Sequence, residues 1–200
     1  MEELLSTFVR SIFVDNMIFA YYLGMCSFLA VSKNVKTALG LGMAVTFILT
    51  CTLPINYMLE NYVLKEGALQ WLGAEFAGVN LSFLAFIIFI AIIASFTQLV
   101  EMVVEKFAPL GIFLPLIAVN CAILGGSLFM QQKAFPNVGV ATVYGLGSGI
   151  GWMLAIVGMA AIREKLAYSD IPKPLKGLGI TFIITGLMGM AFMCFSGLKI

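Results

Sequence analysis

The sequence contains no histidine, and only 10% of its 200 residues are charged. The lack of histidine removes the commonest general base, proton shuttle and imidazole metal ligand. A soluble globular domain carries roughly 25% charged residues, so this chain has too little charge to cover a water-facing surface. The formal net charge of +1 leaves no basic excess for binding nucleic acid.

Hydrophobic residues make up 62% of the chain, and they are concentrated in six stretches separated by short, charged connections. Each stretch has the length of about 20 residues that a membrane-spanning helix needs. The segment Phe86–Ile93 does not alternate between apolar and polar residues, as a barrel strand would. We therefore predict an all-α integral membrane protein, a single domain over residues 1–200. The predicted spans are Phe8–Val31, Ala38–Leu59, Val79–Val100, Leu110–Met130, Val138–Ile162 and Leu178–Leu198.

The lysines and arginines of the connections predict the orientation. Seven of them fall on one side of the six spans: Lys33, Lys36, Lys106, Arg163, Lys165, Lys173 and Lys176. Four fall on the other: Arg10, Lys65, Lys133 and Lys199. The first side is predicted to be cytoplasmic, so both termini are predicted to be periplasmic in a bacterial inner membrane.

The two halves of the chain share a faint pattern. Val14-Asp15-Asn16 recurs as Ala118-Val119-Asn120, and a Gly-Leu-Gly triplet follows 24 residues after Asn16 and 25 after Asn120. Three spans in each half would force opposite orientations, as in the inverted repeats of transporters. We predict repeat 1 at about 1–105 and repeat 2 at about 106–200. The alternative is that glycine-rich apolar helices resemble one another by chance.

Polar residues inside a span are costly and need an explanation. Asp15 and Asn16 fall in the first span and Asn120 in the fourth, and glycines interrupt both spans: Gly24 in the first, and Gly125-Gly126, together with Pro115, in the fourth. One interpretation is that both helices are interrupted and build a central site. The other is that Asn16 and Asn120 make hydrogen bonds between helices and that the glycines allow close packing.

Glu101 ends the third span, three residues after Gln98 and on the same helix face. It is either an ordinary interfacial carboxylate or the mouth of a cation path. With Asp15, Asn16 and Asn120 it completes the candidate cation-path residues.

The four cysteines form no CxxC pair, so a zinc or haem motif is absent. Cys51 and Cys194 lie in plain apolar runs, whereas Cys26 and Cys121 lie on the two glycine-interrupted spans. A two-iron cluster needs four ligands, so these two thiols would have to share it with another protein chain. The alternative interpretation is that all four cysteines only pack.

Several long strings resemble the E subunits of the Na⁺-translocating NADH:quinone oxidoreductase (Nqr) family. The resemblance covers essentially the whole chain, and the related A subunits of the Rnf complexes share only part of it. The strings are Phe13–Asn16, Leu23–Lys33, Gly111–Gly125, Val143–Ile156, Ile162–Lys165 and Phe195–Leu198.

The resemblance implies a membrane component of a respiratory pump that oxidises NADH, reduces a quinone and exports Na⁺ to the periplasm. It implies six spans with inverted halves and a homologous six-helix partner, the D subunit, beside the A, B, C and F subunits. The two homologous chains would share one intramembrane [2Fe-2S] cluster, with Cys26 and Cys121 as this chain's metal ligands. NAD, flavins and quinone would be bound elsewhere in the complex, and Glu101 matches an acidic position that the family associates with sodium uptake.

Two positions depart from the family pattern: Asp15 stands where glutamate is expected, and the connection Lys106–Leu110 is short. No nucleophile, acid–base pair or nucleotide-binding loop is present, so the chain is expected to be inactive alone. The remaining alternatives are a metal-free secondary transporter, a scaffold protein, and a component of an Rnf-type ferredoxin:NAD electron-transport complex.

Overall fold

The computed structural model describes residues 2–64, 82–105, 120–170, 172 and 174–197. The described residues contain α-helices and short helical turns and no strand. The seven helices are α1 (Glu2–Phe13), α2 (Met25–Val31), α3 (Val35–Leu59), α4 (Ala85–Glu105), α5 (Cys121–Lys133), α6 (Val138–Leu166) and α7 (Leu178–Met193).

Among the described residues, three stretches are long and apolar enough to cross a membrane: Val35–Leu64, Ala85–Met102 and Val138–Leu166. The first consists of α3 and a π-helical extension, Glu60–Leu64. These stretches confirm the helical prediction for the second, third and fifth predicted spans. In α7, sixteen residues are helical before a 3₁₀ turn, Cys194–Gly197.

The first predicted span is not one helix. Its helices α1 and α2 are separated by turns at residues 14–24, so the chain is interrupted within this span, as predicted. In the fourth predicted span, the described part begins at Asn120, and Pro115 lies outside the described residues. The prediction that Gly125 and Gly126 interrupt this span is wrong, because both lie inside α5, against Leu23 and Leu49 respectively.

Helices α3 and α6 form the most extensive helix pair and the centre of the core. Their approach depends on glycine, since a β-carbon at Gly149 would lie 2.6 Å from Thr46 Cα and one at Gly145 2.9 Å from the Leu49 carbonyl oxygen. Small residues at such spacing let membrane helices pack backbone to backbone.

Helix α1 packs on a different face of α6 through two more glycines. A β-carbon at Gly147 would meet Ser11, and one at Gly151 would lie 2.9 Å from the Ile12 carbonyl oxygen. These four glycines of α6 therefore alternate between two neighbours, and α6 is the element that aligns α3 with the interrupted first span.

The far end of α6 fixes the connection between α2 and α3. Arg163 donates from Nη1 to the Leu29 carbonyl (3.1 Å) and to Ser32 Oγ (2.8 Å). Glu164 Oε1 accepts from the Val35 backbone N–H at 2.9 Å. These side chains satisfy groups at the end of α2 and the start of α3 that have no partner within their own helix.

Candidate functional site

Cys26 and Cys121 lie at the beginnings of two helices. Cys26 is the second residue of α2 and Cys121 the first of α5, and both thiols are exposed. Of the other two cysteines, Cys51 is half-buried in α3 and Cys194 is exposed at the end of α7. In the sequence, only the glycine-rich context distinguishes the first pair.

Gly24 brings the two cysteine-bearing segments together. A β-carbon on Gly24 would lie 2.7 Å from Asn120 Oδ1 and 3.1 Å from Ala122 Cβ, the residues on either side of Cys121. The backbone just before Cys26 therefore packs against the side chains of the two residues that flank Cys121. We call Gly24, Cys26, Asn120, Cys121 and Trp152 the cysteine site.

The cysteine site lies halfway along α6. The same β-carbon on Gly24 would come within 2.7 Å of Nε1 of Trp152, which is the central residue of Val138–Leu166. A straight first span would have carried Cys26 past this level, because it follows Asn16 by ten residues whereas Cys121 follows Asn120 directly. The turns at residues 14–24 instead bring Gly24, two residues before Cys26, beside Asn120 and Ala122.

Two residues with left-handed backbone conformation allow the turns that bring Gly24 beside Asn120. The amides of Tyr22 and Leu23 donate to the carbonyls of Ile18 and Met17, at 2.9 and 2.8 Å, and these bonds close the turns that follow Asn16. Tyr22 has φ +55° and Gly24 has φ +81°. Glycine adopts this region without the steric cost that a β-carbon brings, so Gly24 meets both a space and a conformation requirement.

Asn16 and Asn120 each hold a turn of backbone in the core. Asn16 accepts from the amides of Ile18 and Phe19, and its Nδ2 donates to the carbonyls of Ile12 and Gly151, each at 3.0 Å. Asn120 is the N-cap of α5, where its Oδ1 accepts from the Ala122 amide at 3.0 Å. Both asparagines, at matching places in the predicted repeat, thus open a helical segment.

The cysteine site also contains two buried N–H groups that are unpaired. Within the described part of the chain, neither Asn120 Nδ2 nor Trp152 Nε1 has a hydrogen-bond partner. Both residues are almost completely buried. Unpaired buried donors are uncommon and need a physical reason.

Asp15 lies in an ionic cluster rather than alone. Its Oδ2 pairs with Lys133 Nζ and lies 3.5 Å from Arg10 Nε, and Tyr21 donates to its Oδ1. The cluster borders a cavity of about 310 Å³ lined by Ser6, Thr7, Arg10, Asp15, Lys133, Phe135 and Tyr144.

Glu101 lies far along α4 from this cluster. The start of α4 packs through Ala85 and Phe89 against Met130 and Ala141, at the end of α5 and the start of α6. Glu101 follows Ala85 by more than four helical turns and is half-buried. Asp15 and Glu101 are therefore not neighbours.

The donor set fits half of a four-thiolate centre. Within the described ranges, no group of three or more His, Cys, Asp or Glu side chains is placed to hold a metal ion. Cys26 and Cys121 are instead two exposed cysteines on segments that meet at Gly24, and they form an incomplete set that a second chain could complete. Four cysteine ligands are what a two-iron cluster needs.

Sequence reasoning missed Lys133 as the partner of Asp15 and Trp152 as a member of the cysteine site. Lys133 is 118 residues from Asp15, and no local spacing indicates such a pair. Trp152 lies in an apolar run. Its polar N–H near the centre of a predicted span is the feature that could have indicated a role for it.

Comparison with known proteins identifies similar chains over the full length. The family described as "Rnf-Nqr subunit, membrane protein" matches residues 4–199. The chain is 55% identical to the E subunit of the Na(+)-translocating NADH-quinone reductase of Proteus mirabilis, over 100% of both chains. It is 56% identical to the protein of that name from Psychromonas ingrahamii, also over 100% of both. With the one from Rhodopirellula baltica it shares 54% identity over 100% of this chain and 99% of the relative. The resemblance predicted from the sequence strings is confirmed.

Proposed function

This chain belongs to the Rnf-Nqr family of membrane subunits, and we propose that it is the E subunit of a Na⁺-translocating NADH–quinone reductase in a bacterial inner membrane. Full-length identity to proteins of that name supports the assignment. The complex would oxidise NADH, reduce a quinone and export Na⁺ from the cytoplasm to the periplasm. Its other subunits would be A, B, C, D and F. NAD, flavins and quinone would be bound by these other subunits.

Within that complex, Cys26 and Cys121 would be two of four ligands to a [2Fe-2S] cluster. The observation that carries this proposal is the contact of Gly24 with both neighbours of Cys121, halfway along α6. The remaining two thiolates would come from the homologous D subunit. When bound, such a cluster supplies one-electron transfer, and its surroundings set the potential.

The chain's own residues would position the thiols and keep water away. Asn120 caps α5 so that its first residue, Cys121, has a fixed backbone. Asn16 holds the turn after α1 on α6 through the Gly151 carbonyl. The large side chains Met17, Ile18 and Phe28 are completely buried around the break, which leaves an apolar setting behind the exposed thiols.

We also propose that the six predicted spans form two inverted three-helix repeats with interrupted first and fourth helices. The break between α1 and α2 and the start of α5 at Cys121 support this arrangement, because Asn16 and Asn120 each cap a turn there. Both termini would be periplasmic.

For sodium, the proposed path includes Glu101, Asp15, Asn16 and Asn120. Glu101 has no ion pair or hydrogen bond among the described contacts, so its carboxylate is available to a cation. Asp15 already has Lys133 and Arg10 beside it, so a sodium ion there would compete with two tethered cations.

The test of the cluster proposal is iron content and low-temperature electron paramagnetic resonance on the purified complex. We expect Cys26→Ala and Cys121→Ala each to abolish the same two-iron signal and quinone reduction. Cys51→Ala and Cys194→Ala are matched controls and should retain both. Iron and turnover that survive both of the first two changes would assign Cys26 and Cys121 to packing.

A further inference from the structure

Two buried N–H groups at the cysteine site have no hydrogen-bond partner among the described residues. Asn120 makes its capping hydrogen bond through Oδ1, which leaves Nδ2 without an acceptor in the described part of the chain. Trp152 is fully buried, and no acceptor for its Nε1 is found among the described residues either. Leaving a buried polar group unpaired costs roughly 1–3 kcal/mol.

Both groups are hydrogen-bond donors, and they belong to side chains that meet at Gly24. A β-carbon at Gly24 would lie 2.7 Å from Trp152 Nε1 and 2.7 Å from Asn120 Oδ1, which is in the same amide group as the unpaired Nδ2. Gly24 precedes Cys26 by two residues, and Asn120 directly precedes Cys121. A third source of positive potential is the start of the 13-residue helix α5, whose first amides lie at Cys121.

Donors of this kind stabilise negative charge in a low-dielectric setting. A thiolate-ligated iron–sulfur centre is anionic and gains a further negative charge on one-electron reduction, and hydrogen bonds near its sulfurs are among the factors that set its potential. In this complex, the electron would derive from NADH. The cost of burying two donors that have no partner among the described residues would then be offset when negative charge is held beside them.

We propose that Trp152 and Asn120 are positioning residues that raise the reduction potential of a centre held by Cys26 and Cys121. The inference rests on the proposed function, because it requires the cluster to be present. It adds two side chains that act through the cysteines and need not bind metal.

The experiment is a redox titration of the purified complex, followed by the two-iron paramagnetic signal. Trp152→Phe keeps an aromatic ring and removes the N–H. Asn120→Ser keeps a side-chain oxygen able to cap α5 and removes the amide donor. We expect each variant to retain the signal. The equilibrium constant for reduction should be roughly tenfold lower, which corresponds to a reduction potential lower by about 59 mV for one electron.

Tyr144→Phe is the matched control. It removes a buried hydroxyl that also lies on α6 but is two helical turns from Trp152. It should leave the potential unchanged.

The outcomes are separable. A wild-type complex without the signal would refute the cluster proposal, and this inference with it. A normal wild-type signal with unchanged potentials in both variants would overturn the inference alone. If one variant loses the signal, the reduction potential of the other variant tests the inference. If both variants lose the signal while Tyr144→Phe retains it, the two residues are needed for cluster assembly, and the inference is overturned.

Discussion

At the scale of single residues, the cysteine site requires a residue without a side chain at position 24, where the sequence has Gly24. The α-carbon of this residue faces Asn120 and Trp152 so closely that no side chain fits, and its φ of +81° disfavours any L-residue. The sequence predicts a break at this glycine but neither the contact nor the angle, because both arise only when the break brings α2 against α5.

Gly24→Ala should therefore destabilise the protein by about 2 kcal/mol or more, from left-handed strain and overpacking together. The measurement is the temperature at which this chain aggregates out of the purified complex, followed by immunoblot. Gly186→Ala is the control, since a β-carbon there meets nothing within 4 Å. Equal aggregation temperatures in the two variants would contradict the contact.

A second prediction at this scale concerns Glu101. If its half-buried carboxylate receives sodium, Glu101→Gln should slow sodium-dependent turnover about tenfold, or ~1.4 kcal/mol of lost stabilisation, while the cluster signal stays constant. Glu2→Gln, an exposed carboxylate at the start of α1, is the control. Normal sodium dependence in Glu101→Gln would remove Glu101 from the path.

At the scale of elements, the sequence predicts the helices well. It predicts the interruptions of the helices only in part. Apolar length alone identifies the spans that contain α3, α4 and α6. The predicted break at Gly24 is confirmed, whereas Gly125 and Gly126 make room for Leu23 and Leu49 instead of interrupting α5. Glycine in an apolar run permits either a turn or a close contact, and only the neighbouring chain decides between them.

The glycines of α6 give a test of element packing. Gly149→Ala would place a β-carbon 2.6 Å from Thr46 Cα, so α3 and α6 must separate. We expect a loss of about 1–3 kcal/mol, measured as a lower aggregation temperature. Gly139→Ala, on the same helix but with no atom within 4 Å of the added carbon, should show no loss.

The Asp15–Lys133 pair joins the end of α1 to the end of α5. Removing one partner leaves a poorly solvated charge, so Asp15→Asn and Lys133→Gln should each destabilise by about 1–3 kcal/mol. The double variant should lose less than the sum, with a coupling of about 0.5–3 kcal/mol. Arg10→Gln is the control because the Arg10 side chain is 58% exposed, and exposed pairs contribute little. Additive losses would mean that the pair does not hold these helices together.

At the scale of the whole molecule, three levels follow one another along α6. The Asp15–Lys133 cluster lies toward its start, the cysteine site is at its centre, and Arg163 binds the α2–α3 connection near its end. The lysine and arginine distribution predicts that the last level faces the cytoplasm. Under the proposed function, the thiols of Cys26 and Cys121 would lie midway between the two faces, where an electron relay inside the membrane would need them.

This orientation can be tested with one substitution at each end of α6. Pro136→Cys lies in the exposed connection between α5 and α6, and Tyr168→Cys is at a position 95% exposed just after α6. A membrane-impermeant thiol reagent should label Pro136→Cys in intact cells and Tyr168→Cys only in inverted vesicles. The unsubstituted chain gives the background, since Cys26, Cys51 and Cys121 would lie within the membrane. The reverse labelling pattern would mean that the protein has the opposite orientation in the membrane. Glu101 would then be on the periplasmic side, where it could not take up sodium from the cytoplasm.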